Sequence, residues 1–366
     1  MVTLKHIAKE ADVSISTVSR VVNNHRYVKK PTREKVLNAI QKLSYYPDGI
    51  AKKLKQGKSR TIGFILPDIS NSFFGMLTLG IERVLRKNNY RLILCNTNGR
   101  YDLERESLTL LLSEKVEGII LATVGTTGEL VKKIIHYHKI PVIVVDNKVK
   151  NLRTDVVLHD NIDGAQQLTS HLIAHGHKRI AFVGGPVDET SGGERLKGYK
   201  KALMKNGLPI LNNLIRIGKW RKDSGFRLTK ELLKLAEGPT GIVASNTSIA
   251  LGVLLALQQE DLKVPRDIGL VSFDDLEFVS VLDPPLTTLK SVDTKIGETS
   301  ANLLLKRIKN RNQEEIKEIY LPMELMIRSS CGCKGFGNSI DQIQGSLGKS
   351  IDIMNKKGEA IAGHSR

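Results

Sequence analysis

Apolar residues recur at helical spacing through the first 46 positions and do not alternate as they would in a strand. Leu4, Ile7, Ala8 and Ala11 follow an i, i+3, i+4, i+7 stripe, which predicts a first helix ending in a turn at Asp12-Val13. Ser14 is placed to cap a second helix whose buried side is Val18, Val21 and Val22. Pro31 suits the first turn of a third helix, with Val36, Ala39, Ile40 and Leu43 facing inward and Tyr45-Tyr46-Pro47-Asp48-Gly49 ending it. The basic stretch 50–60, closing on Gly57-Lys58-Ser59, is long enough for only a marginal helix and reads as a domain boundary.

From Thr61 short β-branched runs alternate with amphipathic helices. Candidate strands are 61–66, 91–95, 118–122 and 141–145, with helices at about 73–88, 102–115 and 127–138. The series then restarts, with strands at 179–183, 214–217, 241–244 and 268–273 and helices near 161–175, 193–206, 222–235 and 246–259. Residues 286–328 add a strand, a long helix at about 293–310 and two short strands near 316–321 and 324–328. Strand–helix alternation implies right-handed βαβ units and parallel sheets. The fold class is therefore an N-terminal all-α helix-turn-helix domain followed by an α/β core of two doubly wound parallel-sheet lobes. We divide the chain into a helical domain at 1–46, a linker at 47–60, a core at 61–330 and a poorly ordered Gly/Ser/Lys-rich tail at 331–366. Lobe 1 takes about 61–160 and 291–322, and lobe 2 about 161–290 and 323–330.

Charge sharpens the reading of the first segment. Residues 1–58 hold thirteen lysines and arginines against four acids, half of the formal excess of +18 carried by 366 residues. Such asymmetry points to a nucleic-acid or anionic partner for that segment. Hydrophobic content of 40% and charged content of 26% are globular values. No stretch approaches the about 18 uninterrupted apolar residues of a membrane-spanning helix, so no membrane association is expected. The amino terminus lacks the layout of a signal peptide, and Cys95, Cys331 and Cys333 are too few for a disulfide framework, so a cytoplasmic protein is expected.

Residues 4–23 have the layout of a helix-turn-helix, whose second helix meets base edges with its N-terminal part. Packing Val18 and Val21 inward leaves Ile15, Ser16, Ser19 and Arg20 outward. Arg20 suits bidentate contact with guanine, Ser16 a base-edge hydrogen bond and Ile15 a thymine methyl. Thr17, Ser19, Asn23 and Arg33 suit phosphates. Spacing alone fits equally well a small helical bundle with a solvated basic face.

The segments "VTLKHIAKEADVSISTVSRVVNN" and "TREKVLNAIQKLSYYP" resemble the amino-terminal domain of the lactose/galactose repressor (LacI/GalR) family. The likeness continues in order through "SRTIGFILPDISNSFF", "VEGIILA", "HLIAHGHKRIAFVGGP", "ERLKGYKKAL", "PTGIVASNTSIALG", "GLVSFDD" and "PPLTTL", covering residues 2–330. The resemblance implies a transcriptional regulator, most often a repressor, that binds a near-palindromic double-stranded DNA operator as a homodimer. It also implies a periplasmic-binding-protein type I-like core closing on a small effector, in the first instance a sugar. The chain departs from the family at Asp12, where glycine is usual, at "VKKPTRE", which lacks the usual Ser or Thr cap, and at Asp48-Gly49. Residues 334–366 show no leucine heptad of the kind that makes some members tetrameric. Within the family the connector folds into a hinge helix whose leucine pries open a minor-groove base step, and Leu54 of "IAKKL" matches it.

A sugar site needs polar groups that grip adjacent hydroxyls and aromatic faces for the ring. Asn71, Phe73, Phe74, Asp146, Arg195, Trp220, Asn246 and Asp274 all lie near ends of candidate strands and match pocket positions of the family. Each alone also fits a plainer role, as core, helix cap or solvated charge. The family commonly has Asn-Asp where Asn246-Thr247 stands, so ligand selectivity does not carry over. A catabolite-control regulator taking a phosphorylated carrier protein is the alternative within regulation. A sugar-transport binding protein is the alternative outside it, disfavoured by the helix-turn-helix and the absent signal peptide.

Other chemical motifs fail. Gly57-Lys58-Ser59 resembles the end of a P-loop, but Lys52 stands where that loop needs glycine. His171 and His175 have the spacing of a zinc-protease helix, with Leu172 where its glutamate belongs. No nucleophile elbow and no metal quartet is present, so neither an enzyme, a metal nor a cofactor is expected. Substituting Leu54→Ala is expected to weaken operator binding and leave effector binding intact; unchanged operator affinity in a gel-shift titration would remove the wedge role.

Overall fold

The computed structural model describes residues 2–23, 25, 27–45, 59–125, 127–149, 151–291, 293–310 and 315–332. The chain separates into two compact units, one through Ser59 and one from Arg60 onward. Residues 46–58, which include Leu54 and most of the linker expected at 47–60, lie outside the described residues, as does 333–366.

In the first unit, the N–H of Thr3 donates to His6 Nδ1 at 3.0 Å across the start of α1 (Leu4–Glu10). Asp12 makes the turn in the left-handed region at φ 51°, a conformation Asp adopts more readily than branched residues. The Val13 N–H closes the turn on the Ala8 carbonyl at 3.0 Å. Ser14 caps α2 (Ile15–Val22) by accepting from the Thr17 N–H at 3.2 Å. Pro31 sits in the first turn of α3 (Lys30–Lys42), and Lys29 before it supplies no side-chain cap. Ile7, Val18 and Val36 are fully buried where the three helices meet.

The second unit is built on two six-stranded sheets. Strands β1 (Thr61–Leu66), β2 (Arg91–Asn96), β3 (Gly118–Ala122), β4 (Val142–Val145), β5 (Asp155–His159) and β11 (Glu318–Leu321) form the first, all parallel, in the order β11-β5-β4-β3-β1-β2. The second comprises β6 (Ile180–Gly184), β7 (Ile215–Ile217), β8 (Gly241–Ala244), β9 (Gly269–Phe273), β10 (Thr287–Lys290) and β12 (Glu324–Met326), in the order β12-β10-β9-β8-β6-β7. Only β12 runs antiparallel to its neighbour. The two orders correspond strand for strand, β1 with β6 through β5 with β10. Strands β1, β3, β4 and β5 are buried along their whole length, as expected of parallel strands covered on both faces.

The first sheet is flanked by α4 (Ser72–Lys87), α5 (Tyr101–Ser113), α6 (Gly128–His136) and α11 (Asp293–Lys309), the second by α7 (Asn161–Ala174), α8 (Thr190–Lys205), α9 (Lys222–Leu233) and α10 (Thr247–Gln259). The chain crosses between sheets after β5, after β10 and after β11. At the far end of α11 the buried Arg307 holds Asp155 of β5 through two hydrogen bonds of 2.6 Å, and the Lys317 N–H joins them at 2.8 Å. That ion pair ties the returning helix to the sheet it left.

Two features differ from the sequence reading. β5 was absent from the candidate strands, because five residues between a turn and a helix carry too short a pattern to separate from loop. The expected tail at 331 begins too early. Ser329–Cys331 form a 3₁₀ turn, in which Ser330 Oγ donates to the Leu270 carbonyl at 2.6 Å and accepts from the Thr287 N–H at 2.8 Å. These bonds satisfy backbone groups at the sheet, and Cys331 is buried beside them.

Glycines allow α4 and α11 to cross closely. A Cβ on Gly80 would stand 2.0 Å from the Thr294 carbonyl oxygen, and one on Gly297 2.1 Å from that of Leu77, so α4 and α11 touch backbone to backbone. Gly80→Ala is therefore expected to lower stability by about 1–3 kcal/mol through overpacking. Gly75→Ala on the same helix, where an added Cβ meets nothing within 4 Å, is expected to be neutral or mildly stabilising. Urea unfolding of both variants checks this, and equal midpoints for the two would contradict it.

Candidate functional site

In the helical unit, Ile15, Ser16 and Arg20 lie exposed on α2, with Ile15 retaining 45% of its surface. Ser14 Oγ contacts both Ser16 Oγ and Thr17 Oγ1 at 2.8 Å, so the cap also orients the hydroxyls of the first turn. Asn23 ends α2, its amide donating to the Ser19 carbonyl at 2.8 Å. Arg33 is partly buried on α3 and donates to the His25 carbonyl at 2.5 Å, which pins the loop between the helices. α2 thus presents an isoleucine, a serine and an arginine on one exposed stripe. Thr17, Ser19, Asn23 and Arg33 are partly engaged in holding that stripe in place.

In the core, the side chains converge on Arg195. It projects from α8 with only 7% of its surface exposed. Its Nε donates to Asn161 Oδ1 at 2.8 Å and its Nη1 to the Ser245 carbonyl. The guanidinium lies 4.2 Å from the Phe273 ring centroid and 5.5 Å from that of Trp220, geometry suited to cation–π attraction. Trp220 is fixed from its other end, its indole N–H donating to Glu189 Oε2 at 2.6 Å.

Asp146 and Asp274 occupy equivalent places in the two sheets, each the first residue after its strand, β4 or β9. Both take left-handed conformations, at φ 65° and 67°. Thr247 Oγ1 donates to the Asp274 carbonyl at 2.9 Å and pins the second turn. Burial pushes the Asp146 carboxyl up to about 7, opposed by Arg195 and reinforced by Glu189 and Asp274. Asp274 is likewise raised by burial against the pull of Arg195, and Glu189 by burial against its bond from Trp220. Asp293, at the start of α11, also rises to about 7, chiefly through burial. Four carboxyls therefore share one guanidinium, and among the described residues none of them hydrogen-bonds it directly.

The lobes are joined beside this cluster. The Lys148 N–H donates to Thr190 Oγ1 at 2.9 Å, and Asn147 Oδ1 accepts from Ser191 N and Oγ at 3.1 and 3.2 Å. A deeper polar buttress stands on the first lobe: Glu104, fully buried, accepts from Thr123 Oγ1 at 3.0 Å, from the Val124 N–H at 2.6 Å and from Thr127. It holds the loop that leaves β3.

The structure gathers Asp146, Arg195, Trp220 and Asp274 and gives plainer roles to the other four candidates. Asn71 caps α4 by accepting from the Phe73 N–H at 3.1 Å, and Asn246 caps α10 by accepting from the Ile249 N–H at 2.8 Å. Phe73 and Phe74 pack edge to face, centroids 4.8 Å apart, within the core of the first lobe. Caps and core residues fall at strand ends for the same geometric reason as ligand groups. Sequence reading missed Asn161, Glu189, His159 and Asp293. Asn161 was findable as a polar residue opening a helix; the others follow only from topology.

Asp146 has a measurable consequence. Its folded-state pKa of about 7 exceeds the ordinary 3.8, so the folded protein keeps a proton that the unfolded chain releases, and stability falls as pH rises between those values. Asn tolerates the left-handed turn and lacks this charge. Asp146→Asn is expected to raise the ligand-free melting temperature over the parent by a margin that grows from pH 5 to pH 8. A margin independent of pH in thermal unfolding would contradict it.

Comparison with known proteins accords with both halves of this geometry. Residues 3–48 match the bacterial regulatory proteins of the lacI family, and residues 59–329 match the periplasmic binding proteins and sugar binding domain of the LacI family. The transcriptional repressor PurR of Vibrio parahaemolyticus is 32% identical over 330 residues, 90% of this chain and 98% of that protein. The Lac repressor dimer bound to operator and the anti-inducer ONPF is similar with a TM-score of 0.80 at 28% identity, over 90% of this chain and 99% of that one. A LacI family regulator from Enterococcus faecium with bound ribose aligns with a TM-score of 0.66 at 32% identity, over 74% and 98% of the two chains. With an exposed stripe on α2 and a two-lobed core around Arg195, the chain belongs to the LacI family of bacterial DNA-binding transcriptional regulators.

Proposed function

We propose that the protein is a homodimeric repressor whose operator affinity is set by a small effector, a sugar or sugar derivative, held between the core lobes. The observation that carries the effector reading is the cluster at Arg195. Carboxylates accept hydrogen bonds in pairs from neighbouring hydroxyls, and an aromatic face meets the C–H side of a sugar ring. Asp146, Asp274 and Asp293 supply the first and Trp220 the second. The ribose-bound relative and the similar regulator CelR, described as a cellobiose complex at 27% identity and a TM-score of 0.68, support a sugar.

DNA recognition is assigned to the stripe on α2. Arg20 reads guanine, Ser16 a base edge and Ile15 a thymine methyl, while Thr17, Ser19, Asn23 and Arg33 position the backbone. The lysines of residues 1–58 add affinity without sequence information. Dimerisation uses exposed apolar surface on both lobes: Met76, Leu79 and Leu94 near the β2 edge of the first, and Leu255, Phe278 and Val281 on the second. Single exposed apolar residues are ordinary, but grouped ones suit an interface.

Effector and DNA are then linked. A ligand that prefers one arrangement of the lobes shifts the population competent for the operator. Arg20→Ala is expected to cost about 1–3 kcal/mol, roughly 5–150-fold, in preference for a selected palindrome over a scrambled duplex. A chain lacking residues 1–58 is expected to lose salt-dependent DNA binding altogether. Fluorescence anisotropy across salt concentrations measures both, and DNA affinity retained by the truncated chain would overturn the assignment.

A further inference from the structure

The cluster leaves one polar group without a partner. His159 is the last residue of β5 and keeps only 6% of its surface exposed. Its Nε2 is buried and makes no hydrogen bond among the described residues. Asp293 Oδ1 lies 3.5 Å away and already accepts from Ser291 Oγ. Buried polar atoms are seldom left unpaired, since forfeiting the bond costs as much as the group's desolvation.

Three facts place this pair at the ligand site. His159 and Asp293 stand on two of the three crossings between lobes. Both feel the charge of Arg195, and Asp293 also feels Asp146 and Asp274. The Phe73 ring backs the imidazole at 5.7 Å between centroids, tilted by 54°, and holds its orientation. Burial drives His159 down to about 3, so the imidazole is neutral and offers one ring nitrogen as donor or acceptor. Burial raises Asp146, Glu189, Asp274 and Asp293, two of them to about 7, so their charge is partial at neutral pH; above it they outweigh the single Arg195 charge, a poor setting for an anionic ligand.

We infer that His159 and Asp293 form a specificity-determining subsite for one hydroxyl group of an uncharged, polyhydroxylated ligand, and that the same cluster discriminates against phosphorylated forms of it. Two heavy atoms 3.5 Å apart can share one hydroxyl oxygen, which is donor and acceptor together. The hydroxyl donates to an Asp293 carboxyl oxygen and its own oxygen pairs with the imidazole Nε2. The inference rests on the cleft being the effector site.

The test is a thermal-shift and calorimetric comparison using the full chain. Its panel is D-ribose, D-glucose, D-galactose, cellobiose, adenine, hypoxanthine, ribose 5-phosphate and glucose 6-phosphate, with monodeoxy analogues of any sugar that binds. The expected result is an uncharged sugar binding more tightly than its phosphate, with one deoxy analogue weaker by about 10–100-fold. That penalty should shrink to within about threefold in Asp293→Asn and in His159→Gln, conservative variants whose folding is checked by their own melting curves. If a sugar binds, is lost in Arg195→Ala, and shows the same deoxy penalties in both variants, the subsite is wrong while the cleft stands. Tighter binding of a phosphate overturns the subsite in the same way; tighter binding of a purine base, which carries no sugar hydroxyl, overturns both the sugar reading and the subsite. Binding by no member of the panel overturns both the sugar reading and the subsite.

Discussion

Arg195 carries a permanent charge into a place where little water reaches it, and among the described residues no carboxylate bonds it directly. An isolated buried charge is expensive, and here the cost is offset by several partial interactions: an amide oxygen, a backbone carbonyl, two aromatic faces and the field of four carboxyls at longer range. Those carboxyls would themselves be costly without the guanidinium. The cluster is thus mutually conditional. It spans both lobes, because Asp146 and Asp293 belong to the first and Arg195 and Asp274 to the second. Any change in lobe spacing alters the balance of charge within it, which gives a ligand a direct physical handle on the arrangement of the core.

The paired aspartates show how the fold makes such a site. Each sheet ends a central strand in a left-handed turn, and Asp accepts that turn without glycine's loss of side chain. Because the strand orders correspond, the same turn occurs in both lobes, bringing two carboxyls into one cluster. Parallel strands place their carboxyl ends together, and the crevice outside those ends is where ligands bind in such sheets.

The helical unit and most of the core were legible from spacing, since helices such as 247–259 and strands such as 118–122 carry several repeats of their period. β5 carried too few, and with it His159 went unread. Asn71 and Asn246 illustrate a different limit. An amide after a strand looks the same in sequence whether it caps the next helix or faces a ligand; the structure shows the capping bond at both. Asp293 was hidden for a third reason: it lies 147 positions from Asp146 in the numbering and reaches the cluster only because the chain returns to the first lobe late. Leu54 falls outside the described residues, so its role rests on resemblance alone.

The glycine contact between α4 and α11 bears on how such proteins diverge. With backbone against backbone at Gly80 and Gly297, the first turn of α11 cannot rotate or slide without moving α4 as well. Asp293 therefore sits on a frame that tolerates exchange of the side chain and resists displacement of the main chain. Were Asp293 to contact the effector, as proposed, exchanging that one residue would alter the ligand while the crossing kept the main chain in place.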